Sequence, residues 1–422
     1  MGKIGFSKEE ISCNQAMLLA GYDCERWSKG IHDSLFCRII VIENEGQRIC
    51  FGQFDVLCVG DEFIQQLKEV AVSYGIQDDD VIIGAIHTHS GPKGLATIKG
   101  LEGIFGEYNE QYAHACVMKF AECLSKACQN LQDFTLKISY QTIDSVCSER
   151  HNEDFQYDNQ LWKIEFMLEN NQKIMMYNYS CHPTILHADN LYMSADLPGS
   201  VDQFLSPEYA MVMFYNGSAG DVSTRFTRQG SNFEEVQRLG KILADQIERN
   251  PETVVYRGPL ERLKVHKKRI QLQTWSNDHI YSFENYIKDL DKQISEGDLS
   301  KMSERQEALV NYRFIKNLEG TFDNQQFDFQ FNILEFNNCA IITIPSEITS
   351  SLTFALTQKY QCMIFSYVGG YHLYLPSQDA FDLHYYESAV CMIKRGVGEQ
   401  LITYIESCLN KMNIKRRMKN AS

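Results

Sequence analysis

The sequence predicts an α/β fold, with mixed sheets flanked by helices in a single large domain. Three observations lead there. Apolar runs of strand length alternate with longer segments of helical periodicity over residues 1–250. Hydrophobic residues make up 44% and aromatics 12% of the 422, enough for a large core. No low-complexity stretch and no repeat of fixed period interrupts the pattern, so one large domain, or two packed intimately, is expected.

In chain order, residues 36–43 and 48–56 read as strands around a Glu-Gly turn. Residues 61–74 read as a helix with Phe63, Leu67 and Val70 on one face. Residues 81–86 are the next strand, 110–131 a long helix, and 134–143 alternates as a half-exposed strand does. Residues 161–168 and 173–179 suggest a hairpin around Glu169-Asn170-Asn171-Gln172. A short buried strand follows at 211–215 and a helix at 233–248.

Residues 276–320 differ in composition. They are charged and helix-prone, with Tyr281, Phe283, Tyr286, Ile287, Leu290 and Ile294 in one stripe, and read as a helical insertion of two helices near the rim of the core. The stripe suits ordinary packing or a groove, and the insertion is the best candidate for restricting substrate access. Strands return at 327–335, 339–344 and 363–367, with helices at 348–360 and 388–409. The basic stretch 411–422, centred on Lys415, Arg416 and Arg417, reads as a frayed tail.

Charge and targeting signals exclude several classes. A net charge of −15 argues against nucleic acid as a partner, because phosphates are repelled. The start of the chain has no apolar core of a signal peptide, and no run of about 18 apolar residues suggests a membrane span. The expectation is therefore a cytoplasmic protein without integral membrane association. Fourteen cysteines without a CxxC read as reduced, mostly buried side chains.

The motifs that carry chemistry stand where buried elements meet loops. The run Ile82-Ile83-Gly84-Ala85-Ile86-His87-Thr88-His89-Ser90-Gly91-Pro92 reads as a strand opening into a turn. Strand alternation places His87 and His89 on one side, as a metal pair, an acid–base pair, or two core histidines bonded to carbonyls. His182, before Pro183, is a metal-ligand candidate or a structural histidine. The small residues of Asn216-Gly217-Ser218-Ala219-Gly220-Asp221-Val222-Ser223 let backbone approach a ligand, with Ser223 as nucleophile, substrate donor or cap. Glu347, in Ile344-Pro345-Ser346-Glu347, opens a helix and could bind a cation. Five tyrosines crowd residues 367–386 beside Gly369-Gly370, with Tyr374-Leu375-Pro376-Ser377 and Tyr386-Glu387 among them.

The order HTHSGP, HPT, GDVS, PSE, YLPS and a downstream YE resembles the neutral/alkaline ceramidase family of zinc amidases. Gly21-Tyr22, Arg26, Gly30-Ile31-His32-Asp33 and Asp55 look like that family's opening, so the resemblance spans about residues 10–400. It implies one zinc ion per chain held by His87, His182, Glu347 and Tyr374. It also implies that His89 is an active-site histidine beside the metal, Ser223 the designated nucleophile, and Arg150 a substrate contact.

Amide hydrolysis needs a nucleophile, a polarised carbonyl and a proton for the leaving amine. Zinc would activate water, His89 would shuttle the proton, and Tyr374 with Arg150 would stabilise the oxyanion. No residue near Ser223 in sequence is an evident base, which favours activated water over serine attack.

The chain departs from the family in several places. It shows neither the signal sequence nor the C-terminal β-sandwich domain typical of secreted members. The Thr-Thr after the ligand tyrosine is replaced in Leu375-Pro376-Ser377, and the Gly-rich stretch after HTHSGP is Lys93-Gly94-Leu95-Ala96. The expected substrate is accordingly an N-acyl or other small amide. Ceramide is the alternative within the class, and a catalytically silent metal-containing binding protein the alternative outside it. A rival metal scheme, of the amidohydrolase type, uses both His87 and His89.

Overall fold

Strand alternation sorts the core into layers. In Phe36–Asn44, Cys37, Ile39 and Val41 enter one apolar cluster, while Ile40 and Ile42 enter another. Val81–Ala85 divides in the same way, as do Lys173–Tyr179 and Met211–Asn216. Strands buried on both faces need a layer on each side. The computed structural model, which describes residues 2–417, supplies those layers.

The larger sheet has nine strands. Its order is Met211–Asn216, Lys173–Tyr179, Gln160–Leu168, Gln132–Thr142, Lys3–Glu10, Phe36–Asn44, Gln47–Phe54 and Val81–Ala85, with Thr253–Gly258 also paired to Gln132–Thr142. The two end pairs are parallel and the pairs between them antiparallel. A second sheet runs Leu263–Gln273, Gln326–Phe336, Cys339–Ile344 and Cys362–Ser366. Phe51, Trp162, Met213 and Tyr215 of the first sheet share a cluster with Phe336, Ile341, Met363 and Phe365 of the second, so the sheets pack face to face.

Helices cover both outer faces. Asp61–Val72, Glu110–Gln129, Asp196–Leu205 and Phe233–Arg249 cover the large sheet, and Ser350–Lys359 with Val397–Lys411 cover the small one. The result is a four-layer α/β/β/α arrangement, of the mixed class expected.

Two contacts tie the sheets together near the ends of their strands. The Asn178 amide donates to the Tyr215 carbonyl at 2.8 Å and to Ile364 of the other sheet at 2.7 Å. Val368 forms a bridge with Gly84, where an added Cβ would lie 2.7 Å from its Cγ2. Glycine is therefore needed for the loop after the second sheet to reach the edge of the first.

Two segments differ from expectation, and a third forms the expected pair of helices with its stripe only partly buried. The terminal helix begins only at Val397, because Ile393 bridges Thr274 and Gly396 adopts φ +84°. The basic stretch does not fray at 411. The helix runs to Lys411, and Arg417 donates to the Tyr360 carbonyl at 3.0 Å with its guanidinium over the Tyr140 and Trp162 rings. The rest of that stretch, from residue 418, lies outside the described residues. The segment 276–320 forms helices Asn277–Ser295 and Met302–Asn317. Of the expected stripe, Phe283 and Leu290 are buried, whereas Tyr281 is exposed. Phe283, Phe314 and Ile315 join a cluster with Phe105, Tyr371 and Tyr374, so the pair packs against the tyrosine-rich loop.

Candidate metal centre

His87 does not continue the strand. The strand ends at Ala85, and His87 adopts φ +70° while its N–H donates to Val56 at 3.0 Å. Alternation is thus not what brings His87 and His89 together. The turn does so, with ring centroids 5.1 Å apart.

His182 arrives from near the opposite end of the sheet's strand order, just beyond Lys173–Tyr179. Asn216 holds that turn, accepting from the Cys181 N–H at 3.1 Å and donating to the Cys181 carbonyl at 3.0 Å. Glu347 comes from the second sheet's side, in a two-residue parallel pair with Tyr374-Leu375. Its turn nests against Gly220, where a Cβ would lie 2.9 Å from the Glu347 carbonyl oxygen. Asp221 accepts from the Ser350 and Ser351 N–H groups at 2.5 and 3.0 Å, so it caps the start of a distant helix.

The donor chemistry at this seam tests whether a metal fits. His87 donates through Nδ1 to the Leu57 carbonyl at 2.9 Å, and His182 through Nδ1 to Ala219 at 2.7 Å. With Nδ1 donating to a carbonyl, each ring turns its Nε2 inward, and the two lie 3.1 Å apart. Glu347 Oε2 lies 3.3 Å from one and 3.2 Å from the other, and this buried oxygen has no hydrogen-bond donor among the described residues. Three electron pairs converging at such distances repel one another unless a cation lies between them. Tetrahedral zinc with ligands at about 2.0–2.2 Å needs ligand edges of about 3.3 Å, so the set fits. Carbonyl anchors on the outer nitrogens are the usual support of metal-bound imidazoles.

His89 differs. Its Nε2 lies 3.4 Å from His87 Nε2, and the donor atoms of His87, His89 and His182 all lie within 4.8 Å of one another. Yet its buried Nδ1 has no partner among the described residues, so no carbonyl there sets its tautomer. Its ring rests on Gly21, where a Cβ would come within 2.4 Å. Burial, reinforced by the other two histidines, holds His89 well below the ordinary imidazole range, and burial also lowers His182.

The remaining expected residues line one cavity of about 560 Å³ beside these groups. His89, His182, Ser223, Arg150 and Tyr374 all face it. Tyr374 stacks parallel to His182 at 6.5 Å between centroids, and no hydrogen bond joins it to the histidines or Glu347 among the described residues. Ser223 Oγ accepts from the Arg225 N–H at 3.2 Å and meets no imidazole within hydrogen-bond distance among the described residues. Arg150 lies over the Tyr374 and Tyr386 rings and donates through Nε to Glu387 at 2.6 Å. His151 also reaches Glu387, at 2.8 Å. Burial raises the Glu387 carboxyl, but Arg150 and His151 prevail and bring it to about 2.

Sequence reasoning missed three partners. Tyr371 donates to Glu347 Oε1, Tyr367 stacks on His87 at 4.0 Å, and Glu387 pairs with Arg150. The crowding of tyrosines pointed to the first two. Nothing local pointed to a pair 237 residues apart.

Fold and site together define a four-layer α/β protein with a candidate metal centre on the seam between its sheets. Residues 3–227 match the model of the family described as neutral/alkaline non-lysosomal ceramidase, N-terminal, and the chain belongs to that family. The neutral ceramidases of Drosophila melanogaster and Drosophila pseudoobscura pseudoobscura are each 26% identical over 231 residues. That stretch is 49% of this chain and 32% of each relative, so the match spans about a third of their length. Two solved structures share the fold. The neutral ceramidase from Pseudomonas aeruginosa gives a TM-score of 0.73 at 16% identity over 97% of this chain and 75% of that one. A ceramidase complexed with C2 gives 0.73 at 14% identity over 100% and 77%. Among the described residues no helix is long and apolar enough to cross a membrane.

Proposed function

We propose that this protein is a zinc-dependent hydrolase that cleaves a carboxamide C–N bond. The observation that carries this reading is the convergence of two bare imidazole nitrogens and an unpartnered carboxylate oxygen beside an open cavity. His87, His182 and Glu347 would hold the ion, with Tyr374 as the fourth ligand implied by the family. Zinc held there supplies Lewis acidity that polarises the scissile carbonyl.

The chain's own groups do the rest. His89 faces the cavity beside the other two histidines, so it takes a proton from water and returns it to the leaving amine. Arg150, fixed by Glu387, stabilises the charge that develops on the carbonyl oxygen. Ser223 lacks an adjacent base, which supports an orienting role over attack. The oxygen of water bonds to the carbonyl carbon, the C–N bond breaks, and the amine leaves with the proton.

The substrate class is an N-acyl or other small amide. Ceramide hydrolysis is the second reading, favoured by matched relatives that are named neutral ceramidases. Zinc-loaded protein assayed on ceramides, N-acyl amino acids and short amides tests both. Turnover of ceramide above the rest selects the second reading, and no turnover at all favours a metal-containing binding protein. Ser223→Ala should lower kcat about 10²–10³-fold if it orients the substrate. Loss as complete as metal removal would make it the nucleophile.

A further inference from the structure

The cavity beside the histidines has an unusual wall for a protein of net charge −15. Of its thirteen lining residues, Arg150, Arg225 and Arg228 are arginines, and none is Asp or Glu. Arg150 is neutralised by Glu387, whereas Arg225 and Arg228 form no salt bridge among the described residues. The nearby carboxylates stand outside the wall: Asp189 lines a different groove, and Asp196 and Glu235 act on Arg228 from outside the cavity lining.

Both unpaired arginines come from the turn that follows Ser223. That turn is held by the Arg228 N–H to Thr224 at 2.9 Å and by the Thr227 hydroxyl to Val146 at 2.6 Å. Arg228 is further fixed by donating through Nη1 to the Thr184 carbonyl at 2.8 Å, which leaves its other N–H groups for a ligand. Arg225 is exposed at the rim, with His187 also facing the cavity.

The same wall suits long hydrocarbon chains poorly. Its apolar side chains are the rings of Tyr22, Tyr374 and Tyr386 and the methyl of Ala188, and it holds no Leu, Ile, Val, Met or Phe. Burial stabilises a hydrocarbon chain only where apolar surface receives it.

Resting on the hydrolase reading above, we propose that the amide substrate carries an anionic oxyacid group, carboxylate or phosphate. Arg225 and Arg228 hold that group at the cavity mouth while the amide reaches His89 and His182. Guanidinium groups match either oxyacid through paired N–H donors, and Arg228, fixed on Thr184, costs little reorganisation on binding. In a protein negative elsewhere, these cations also focus anions onto the site.

The test uses the full, zinc-loaded chain and three probes: N-hexanoylglycine, its methyl ester, and N-hexanoyl-O-phosphoethanolamine. At least one anionic amide should exceed the neutral ester in kcat/KM by about 10-fold or more, the scale of one charge-assisted hydrogen bond. Which of the two does so identifies the oxyacid. Arg225→Gln and Arg228→Gln should each reduce that preference about 10-fold, chiefly through KM, and added salt should reduce it in the unmodified protein. Arg225 is exposed, so its variant tests the idea even if the Arg228 variant misfolds. An ester turned over as well as both anions overturns the proposal and leaves the hydrolase reading standing. If no probe is turned over, calorimetric titration decides the proposal, and the panel of ceramides and amides described above decides the hydrolase reading. Anions that bind more tightly than the ester, in a manner weakened by Arg225→Gln, uphold it, and equal or absent binding overturns it.

Discussion

The two walls of the candidate site come from different halves of the chain and are built in different ways. The first wall carries His87, His89 and His182 at the strand ends of the large sheet, within the stretch the family model matches. Its two anchored histidines are set by backbone carbonyls. The second wall carries Glu347, Tyr371, Tyr374 and Glu387, beyond that stretch, and is set by side chains reaching one another. The walls meet through His87 and His182 on Glu347, Arg150 and His151 on Glu387, and Asp221 on Ser350. Neither wall alone holds a complete donor set, so docking of the two sheets is what makes the site.

The largest expected effect on stability lies within the first wall. Arg38 donates to both Asp55 oxygens at 2.6 and 2.7 Å and to Asp202 at 3.0 Å, all beneath the turn that bears His87. Arg38→Met leaves two buried or half-buried carboxylates without their counter-charge and should cost about 3–5 kcal/mol in denaturant unfolding. A loss under about 1 kcal/mol would mean that the first wall does not depend on that pair.

The next effect lies between the walls. Glu387 has its folded pKa depressed to about 2. For a depressed carboxyl the stabilisation is complete above the unfolded value of about 4.3 and is lost as pH falls through about 2. The contribution is roughly 3 kcal/mol, of which the fall between pH 4.5 and 3 is measurable. Urea unfolding of Glu387→Gln over that range should lack the slope seen in the unmodified chain, and equal slopes would contradict the pairing.

The smallest effect lies within the second wall. Tyr371 occupies Glu347 Oε1 and leaves Oε2 facing the imidazoles. Tyr371→Phe should keep the metal ligands but weaken zinc about 10–100-fold in competition with a chelator, the usual cost of losing an outer support. Unchanged affinity would remove Tyr371 from that role.

The difference between the walls also explains what the sequence revealed. The strand and helix patterns predicted a mixed α/β class because alternation and helical periodicity are local. They did not reveal the four layers. Nothing in residues 339–344 or 363–367 says that their second face meets Phe51 and Trp162 instead of water. His87, His89 and His182 stood out because each closes an apolar run, although the turn at φ +70° replaces the alternation first used to pair two of them. Glu347 was visible only through its Pro-x-Glu motif, and its tyrosine partner through crowding alone. Pairs such as Arg150 with Glu387 exist only once the sheets dock, and no local pattern encodes them.

The central claim is that His87 and His182, unlike His89, hold a zinc ion together with Glu347 across the seam. Metal analysis of protein purified without added zinc tests it most directly. The unmodified chain should carry about one zinc, as a single four-ligand site requires. His87→Ala, His182→Ala and Glu347→Ala should carry almost none, and His89→Ala should retain it while losing turnover. Full zinc in the His87 and His182 variants would contradict the claim, and loss in His89→Ala as complete as theirs would move the ion to the His87–His89 pair.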